Sequence, residues 1–229
     1  MDDIRATHQP GAGARAFTLA GAVVFAASIG YFLWFYLVGL ADRAPALSAG
    51  PAIAVNTLAF TLFAVHHSIF ARARVRAWIA RGVSPHLERA VYVWIASTGF
   101  VLVCLVWQPV GGALWHVDGP PRLVLRALQA AGAVLSVWAA AALDALALAG
   151  VRQLDAPLPG SGVEQVSTPL RDSGLYGIVR HPIYFAWLLI VWAAPTMTAA
   201  RLLFAALSTA YVVIAVVFEE PSLHQTFGP

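Results

Sequence analysis

The residue types that can do chemistry in this chain are few and sit in four places. Arg180-His181-Pro182-Ile183-Tyr184 places an arginine, a histidine and a tyrosine around a proline. Pro182 suits the first turn of a helix, where its missing N–H costs nothing. The N–H groups and positive dipole end of that helix favour an anion such as a carboxylate, and Arg180 adds a planar donor fork. Near the C-terminus, Glu219 and Glu220 repel each other unless a cation or hydroxyl donors hold them. A metal ion with His224 or His181 as nitrogen ligand would also do so, but no CxxC or HExxH spacing supports zinc, and no metal is expected. His66 and His67 are adjacent, and side chains of helical neighbours point about 100° apart, so one of the two is expected to face a site. Asp144 lies in an otherwise apolar stretch, either as a functional acid or as half of a structural ion pair.

The elements that must position these groups are membrane helices. Of 229 residues 60% are apolar and only 11% charged, about half the charge of a soluble domain. Mean hydropathy is +0.75. Uncharged runs extend over Phe17–Leu40, Ala44–Ser68, Ala90–Trp115, Ala127–Leu143 and Leu202–Phe218. Most approach the roughly 20 residues a helix needs to cross hydrocarbon. A sixth, Ile183–Pro195, would reach only about 20 Å as a helix. With the last run it forms a helical hairpin turning at Pro195-Thr196-Met197-Thr198. The expected fold is all-α: a polytopic bundle of five to six transmembrane helices, one domain over 1–229, containing a loop over 152–180. Pro157, Pro159, Gly160, Gly162, Pro169 and Gly174 argue against a long helix in that loop. The first run is longer than a cleavable signal core of roughly 7 to 15 residues, so it is expected to stay as a helix.

All 14 basic residues are arginines. Arg5 and Arg15 precede the first helix, Arg72, Arg74, Arg76, Arg81 and Arg89 fill the second-to-third connection, and Arg152, Arg171 and Arg180 lie between the fourth and fifth helices. The opposite side has Arg43, Arg122, Arg126 and Arg201. The positive-inside rule puts the richer side, and both termini, in the cytoplasm. His66, His67, Asp144, the Arg180–Tyr184 stretch and Glu219–Glu220 all fall near that face, which makes it the expected active side. The net charge of +3 is then explained by topology and anionic lipid, with no basic face left for nucleic acid. Cys104 is the single cysteine, inside an apolar run, and reads as a packed side chain.

The RHPIY stretch, Trp187–Arg201 and the terminal EEPSLHQTFG resemble the membrane methyltransferases that include isoprenylcysteine carboxyl methyltransferases. Val65-His-His-Ser-Ile-Phe-Ala-Arg72, Glu88-Arg-Ala-Val-Tyr92, Trp107-Gln-Pro109, Asp144 and Gly150-Val-Arg-Gln153 resemble the methanethiol S-methyltransferases and the related NnrU-type proteins. The similarity spans about residues 55–228. It implies S-adenosylmethionine as cofactor, with His181 and Tyr184 shaping its pocket and Glu219 or Glu220 holding its polar groups, and the helix start read above adds Arg180 and Pro182 to the same cofactor site. It further implies a small thiol such as methanethiol as acceptor, and His66, His67 or Asp144, near the same face, is expected to assist its deprotonation. Related enzymes continue past the Phe-Gly with a tyrosine-rich, basic segment, where this chain has Phe227-Gly228-Pro229.

Two other readings follow from the same resemblance. The subgroup is similar to zeta-carotene isomerases, which implies a haem-binding membrane isomerase or redox-associated protein using a helical histidine and His181. The other is an isoprenylcysteine carboxyl O-methyltransferase acting on a lipophilic substrate. The acidic pair at Glu219 and Glu220 favours methyl transfer, since haem has no evident use for it. A bacterial inner membrane is the expected location, with lipids as the surrounding partners.

Overall fold

The computed structural model describes residues 10–40, 43–70, 72–79, 81–84, 86–155 and 179–227, apart from the side chains of 73 and 219–227. Helices dominate the described residues. Helix α1 covers Ala12–Trp34 and continues as a π-helical turn over Phe35–Gly39. It is followed by α2 (Ala49–Phe70), the short α3 (Ala73–Ile79) and α4 (Glu88–Val106). Then come β1 (Ala113–His116), α5 (Pro120–Ala142), the one-turn α6 (Ala145–Leu148), α7 (Pro182–Trp192), β2 (Thr196–Thr198) and α8 (Ala199–Phe227). Five helices, α1, α2, α4, α5 and α8, are long and apolar enough to cross a membrane. The 11-residue α7 spans only about 16 Å. The fold is a polytopic helical membrane bundle.

Side chains that are small where backbones approach let the helices pack. In α5, Gly132 faces α7 so closely that a Cβ there would lie 2.8 Å from the Ala186 carbonyl oxygen. Beside it the buried Gln129 donates its amide to the Ile190 carbonyl at 3.0 Å. Gly21 in α1 admits the Trp94 indole of α4, which donates to the Phe17 carbonyl at 3.0 Å. Small residues at crossings are the usual means of close approach between membrane helices. The centre is filled by aromatic rings: Phe32 stacks on Trp187 at 4.5 Å and on Phe204 at 5.4 Å, while Phe60 and Trp107 meet Phe204 edge-on. Such pairs add to the stabilisation from area alone.

The bundle is tied at one end by polar contacts. Arg201, 4% exposed in the first turn of α8, donates to the carbonyls of Tyr36, Leu37 and Thr196. The π-helical turn leaves those α1 carbonyls near a helix end, where intrahelical partners run out. Tyr36 returns the tie by donating its hydroxyl to the Val191 carbonyl at 2.6 Å. At the same end Asn56 exchanges two hydrogen bonds with Gln108, and Arg43 donates to carbonyls at the end of α4.

Three local expectations are corrected. The third apolar run does not stay helical to Trp115: α4 ends at Val106 ahead of Pro109, and residues 113–116 are extended. The Pro195–Thr198 segment is not merely a turn, because Thr196–Thr198 pairs antiparallel with β1. This small sheet takes up backbone groups that a loose loop would leave unpaired, with the Val117 N–H also donating to the Pro195 carbonyl. Asp144 does not sit inside α5, which stops at Ala142. The proline-rich part of the 152–180 loop falls outside the described residues.

Arg201→Met leaves several desolvated carbonyls without a donor. It is expected to lower stability by at least about 2 kcal/mol, read as reversible unfolding in mild detergent, and unchanged stability would refute the role given to this arginine.

Candidate active site

At the other end of the bundle α2 finishes, α4 and α7 begin, and α8 runs out toward its C-terminus. His67 is one turn from the end of α2. Its Nδ1 lies 3.0 Å from the Tyr92 hydroxyl, and its ring packs against Phe63 and Tyr211. Ser68 donates to the Tyr211 hydroxyl of α8 at 3.3 Å. Arg72, just past α2, places its guanidinium over the Phe218 ring at 5.4 Å.

Between α2, α8 and the start of α7 lies a cavity of about 780 Å³. Its polar margin is His67, Ser68, Arg72, Tyr184 and Tyr211, and its walls include Phe60, Ala64, Leu207 and Phe218. Several of its wall residues, Val65, Ile69, Ile214 and Phe218, are exposed on the outside of the bundle, so the cavity is a groove with an apolar flank. A few polar groups on an apolar concavity of this size are what a small-molecule site requires.

Tyr184 reaches this groove from the first turn of α7, and its ring stacks on that of His181 at 5.5 Å. Pro182 occupies the start of the helix, buried, as its sequence position predicts. His181 precedes it without a side-chain cap bond, and Arg180 is exposed beside it. The helix therefore begins beside the groove, with the positive end of its dipole at that end. Glu219 and Glu220 belong to α8, one and two residues beyond the groove-lining Phe218. Their side chains lie outside the described residues, as does that of His224.

Comparison with known proteins decides the family. A family model described as phospholipid methyltransferase matches residues 159–229. Methanethiol S-methyltransferase from Pseudomonas deceptionensis is 39% identical over 192 residues, 82% of this chain and 71% of that protein. Methanethiol S-methyltransferase 1 from Bradyrhizobium diazoefficiens is 36% identical over 204 residues, 88% and 70% respectively. The Mycobacterium tuberculosis methanethiol S-methyltransferase is 33% identical over 214 residues, 91% and 87%. The chain belongs to the methanethiol S-methyltransferase family of membrane methyltransferases. No solved structure matches it.

In this membrane methyltransferase the residues singled out from sequence separate into two groups. His67 and Tyr184 line one groove, with His181 stacked on Tyr184. His66 points elsewhere: its ring packs on Phe70 at 4.3 Å and its buried Nε2 finds no hydrogen-bond partner among the described residues. Asp144 also stands away from the groove lining, in a left-handed turn at φ 62° that caps α6. Its carboxylate accepts from the Ala147 N–H at 3.3 Å and from Arg152 Nε at 2.9 Å. Desolvation, the largest single influence, pushes its pKa up, but the Ala147 hydrogen bond and the Arg152 hydrogen bond and charge together outweigh it, so the carboxyl ionises below its ordinary range. That is the geometry of the structural ion pair, the second of its two sequence readings. Among the described residues no group of three or more histidine, cysteine or acidic side chains is placed to hold a metal.

Tyr211, which lines the groove, and Tyr92, which contacts His67 from behind it, were not among the site residues expected from sequence. Tyr92 closes the Glu88–Tyr92 motif, which was the available signal. Tyr211 sits in a uniform apolar helix and had none.

The pH dependence of the Asp144 cap follows from its depressed pKa. A carboxylate favoured in the folded state stabilises above its unfolded pKa, near 3.9, and loses that contribution as pH falls through the lower folded value. Asp144→Asn is therefore expected to be less stable than wild type at pH 7, with the gap closing below about pH 4. A gap that stays constant across that range would contradict the ion-pair assignment.

Proposed function

We propose that this protein transfers the methyl group of S-adenosylmethionine to a small thiol such as methanethiol, in the groove between α2, α7 and α8. The observation that carries this reading is the groove itself, where His67 from α2 and Tyr184 from α7 meet on one apolar cavity. The names of the relatives support a thiol acceptor. An acceptor with little more than a sulfur and a methyl group also suits a concavity whose walls are mostly apolar.

The residues at the start of α7 fit the donor's chemistry. Arg180 and the N-terminal end of α7 suit its carboxylate. The stacked His181 and Tyr184 rings offer an aromatic border, and Glu219 or Glu220 supplies acceptors for an amine or ribose hydroxyls. When bound, the cofactor supplies a methyl carbon attached to a positively charged sulfur. The protein's part is to align that carbon with the acceptor sulfur and to keep water out, which is where most of the rate gain in a displacement arises. The Phe60, Ala64 and Leu207 walls exclude water, and His67 is the polar side chain best placed to meet the acceptor sulfur. The arginine distribution supports a site facing the cytoplasm of a bacterial inner membrane, where a soluble cofactor is available.

The test is labelled methyl transfer to a panel of thiols and prenylcysteine analogues by purified protein. A volatile thioether is the expected product, and Arg180→Met is expected to weaken cofactor binding by about tenfold through loss of a charged hydrogen bond. Transfer only to prenylcysteine would replace the thiol reading with carboxyl methylation. A haem absorption band without any transfer would remove methyl transfer altogether.

A further inference from the structure

A tyrosine that the proposed reaction has not used controls the histidine in the groove. Tyr92 is 6% exposed, and among the described residues its hydroxyl has one partner, His67 Nδ1 at 3.0 Å. A phenol O–H in an apolar setting needs an acceptor, and the lone pair of a neutral imidazole nitrogen provides it. The reverse arrangement, with Nδ1–H donating to the phenol oxygen, would leave the phenol proton without a partner.

The tyrosine is itself fixed. Arg89, one turn earlier on α4, lays its guanidinium over the Tyr92 ring at 4.9 Å. Arg89 Nε donates to the Leu148 carbonyl at 3.1 Å, the last residue of α6. The Asp144 carboxylate caps that same one-turn helix. Among the described residues the other titratable or charged groups around His67 are its neighbour His66, Tyr211 across the groove, and Arg72 at the groove's edge. With cations at Arg89 and Arg72 and no acid among the described groove residues, the neutral imidazole avoids like charge.

We propose that Tyr92, held by Arg89, positions His67 as the tautomer carrying its proton on Nε2, so that the groove offers the acceptor sulfur a hydrogen-bond donor and receives it as a thiolate. This rests on the thiol reading of the groove. The acceptor S–H gives its proton to water at the mouth. The thiolate lone pair then forms the new S–C bond, while the bond from the methyl carbon to the positively charged sulfur breaks, its electron pair staying on that sulfur. One negative and one positive charge cancel, and His67 keeps its Nε2 proton throughout. His67 touches the reacting sulfur, whereas Tyr92 acts through it as a positioning residue. In place of deprotonating the thiol, the histidine stabilises the anion that a dry apolar groove would otherwise reject.

Two measurements decide this. In ¹⁵N NMR of the detergent-solubilised full chain, with the His67 signals assigned by their loss in His67→Gln, wild type is expected to show an unprotonated Nδ1, and Tyr92→Phe a mixture of both tautomers. A protonated Nδ1 in wild type overturns the assignment. In thiol methylation, His67→Ala is expected to lower kcat about 100-fold, as for loss of a donor to a reacting anion. His67→Gln restores an N–H donor without a proton-accepting nitrogen and is expected to stay within about tenfold of wild type, with KM little changed. If the glutamine variant is as slow as the alanine variant, the histidine is a base and the proposal fails. Should the glutamine variant not fold, assignment through His66→Gln and the remaining histidines leaves the tautomer result decisive. Wild type that methylates no thiol would refute the thiol reading, while the spectrum would still decide how Tyr92 sets His67.

Discussion

The architecture depends on a constraint that water-soluble folds escape: within hydrocarbon, every backbone polar group and every charge must be satisfied by the protein itself. Arg201 is where this is met most visibly. Its guanidinium is buried and donates to the carbonyls of Tyr36, Leu37 and Thr196. Those carbonyls are available because α1 ends in a π-helical turn and because β2 interrupts the hairpin between α7 and α8. One cation thereby joins the end of α1 to the start of α8, and the Tyr36 hydroxyl joins the same turn to the end of α7. The ends of three helices are fixed relative to one another, and the aromatic cluster around Phe204 continues that order along the bundle.

The opposite end is built differently, and the contrast is what makes a site possible. There the shortness of α7 matters: eleven residues cannot fill the depth that α2 and α8 cover, so the bundle is left concave beside Tyr184. The polar groups that border the gap are held from outside it. Tyr92 and Arg89 of α4 support His67, Ser68 ties α2 to Tyr211 of α8, and His181 stacks on Tyr184. A rigid end and an open end on the same helices give a groove whose lining is ordered without being filled.

Much of this was legible in the sequence, and the parts that were not have identifiable causes. The long helices could be read because charge is excluded from hydrocarbon over about 20 residues at a time, a signal that needs no tertiary information. Pro182 at the start of α7 was readable for the same local reason. The pairing of Ala113–His116 with Thr196–Thr198 was not, because two short segments some 80 residues apart acquire extended structure only by meeting. Asp144 looked like an acid inside a helix, since the left-handed turn that carries it out of α5 has no glycine to announce it. Which of His66 and His67 faces the groove depended on the rotation of α2 against α4, which an almost uniformly apolar helix does not encode. Tyr211 is the plainest case: an aromatic residue in an apolar helix reads as packing until the neighbouring helix shows a hydroxyl meeting Ser68.

Methyl transfer is proposed to take place at the open end, beside the start of α7 and the outgoing part of α8. Photocrosslinking of labelled S-adenosylmethionine to the purified protein, followed by peptide mapping, tests it most directly. Saturable labelling of peptides within 179–192 and 207–227 is expected. Labelling confined to 107–119 and 195–203, around the β1–β2 sheet and Arg201, would place the cofactor at the rigid end and contradict it.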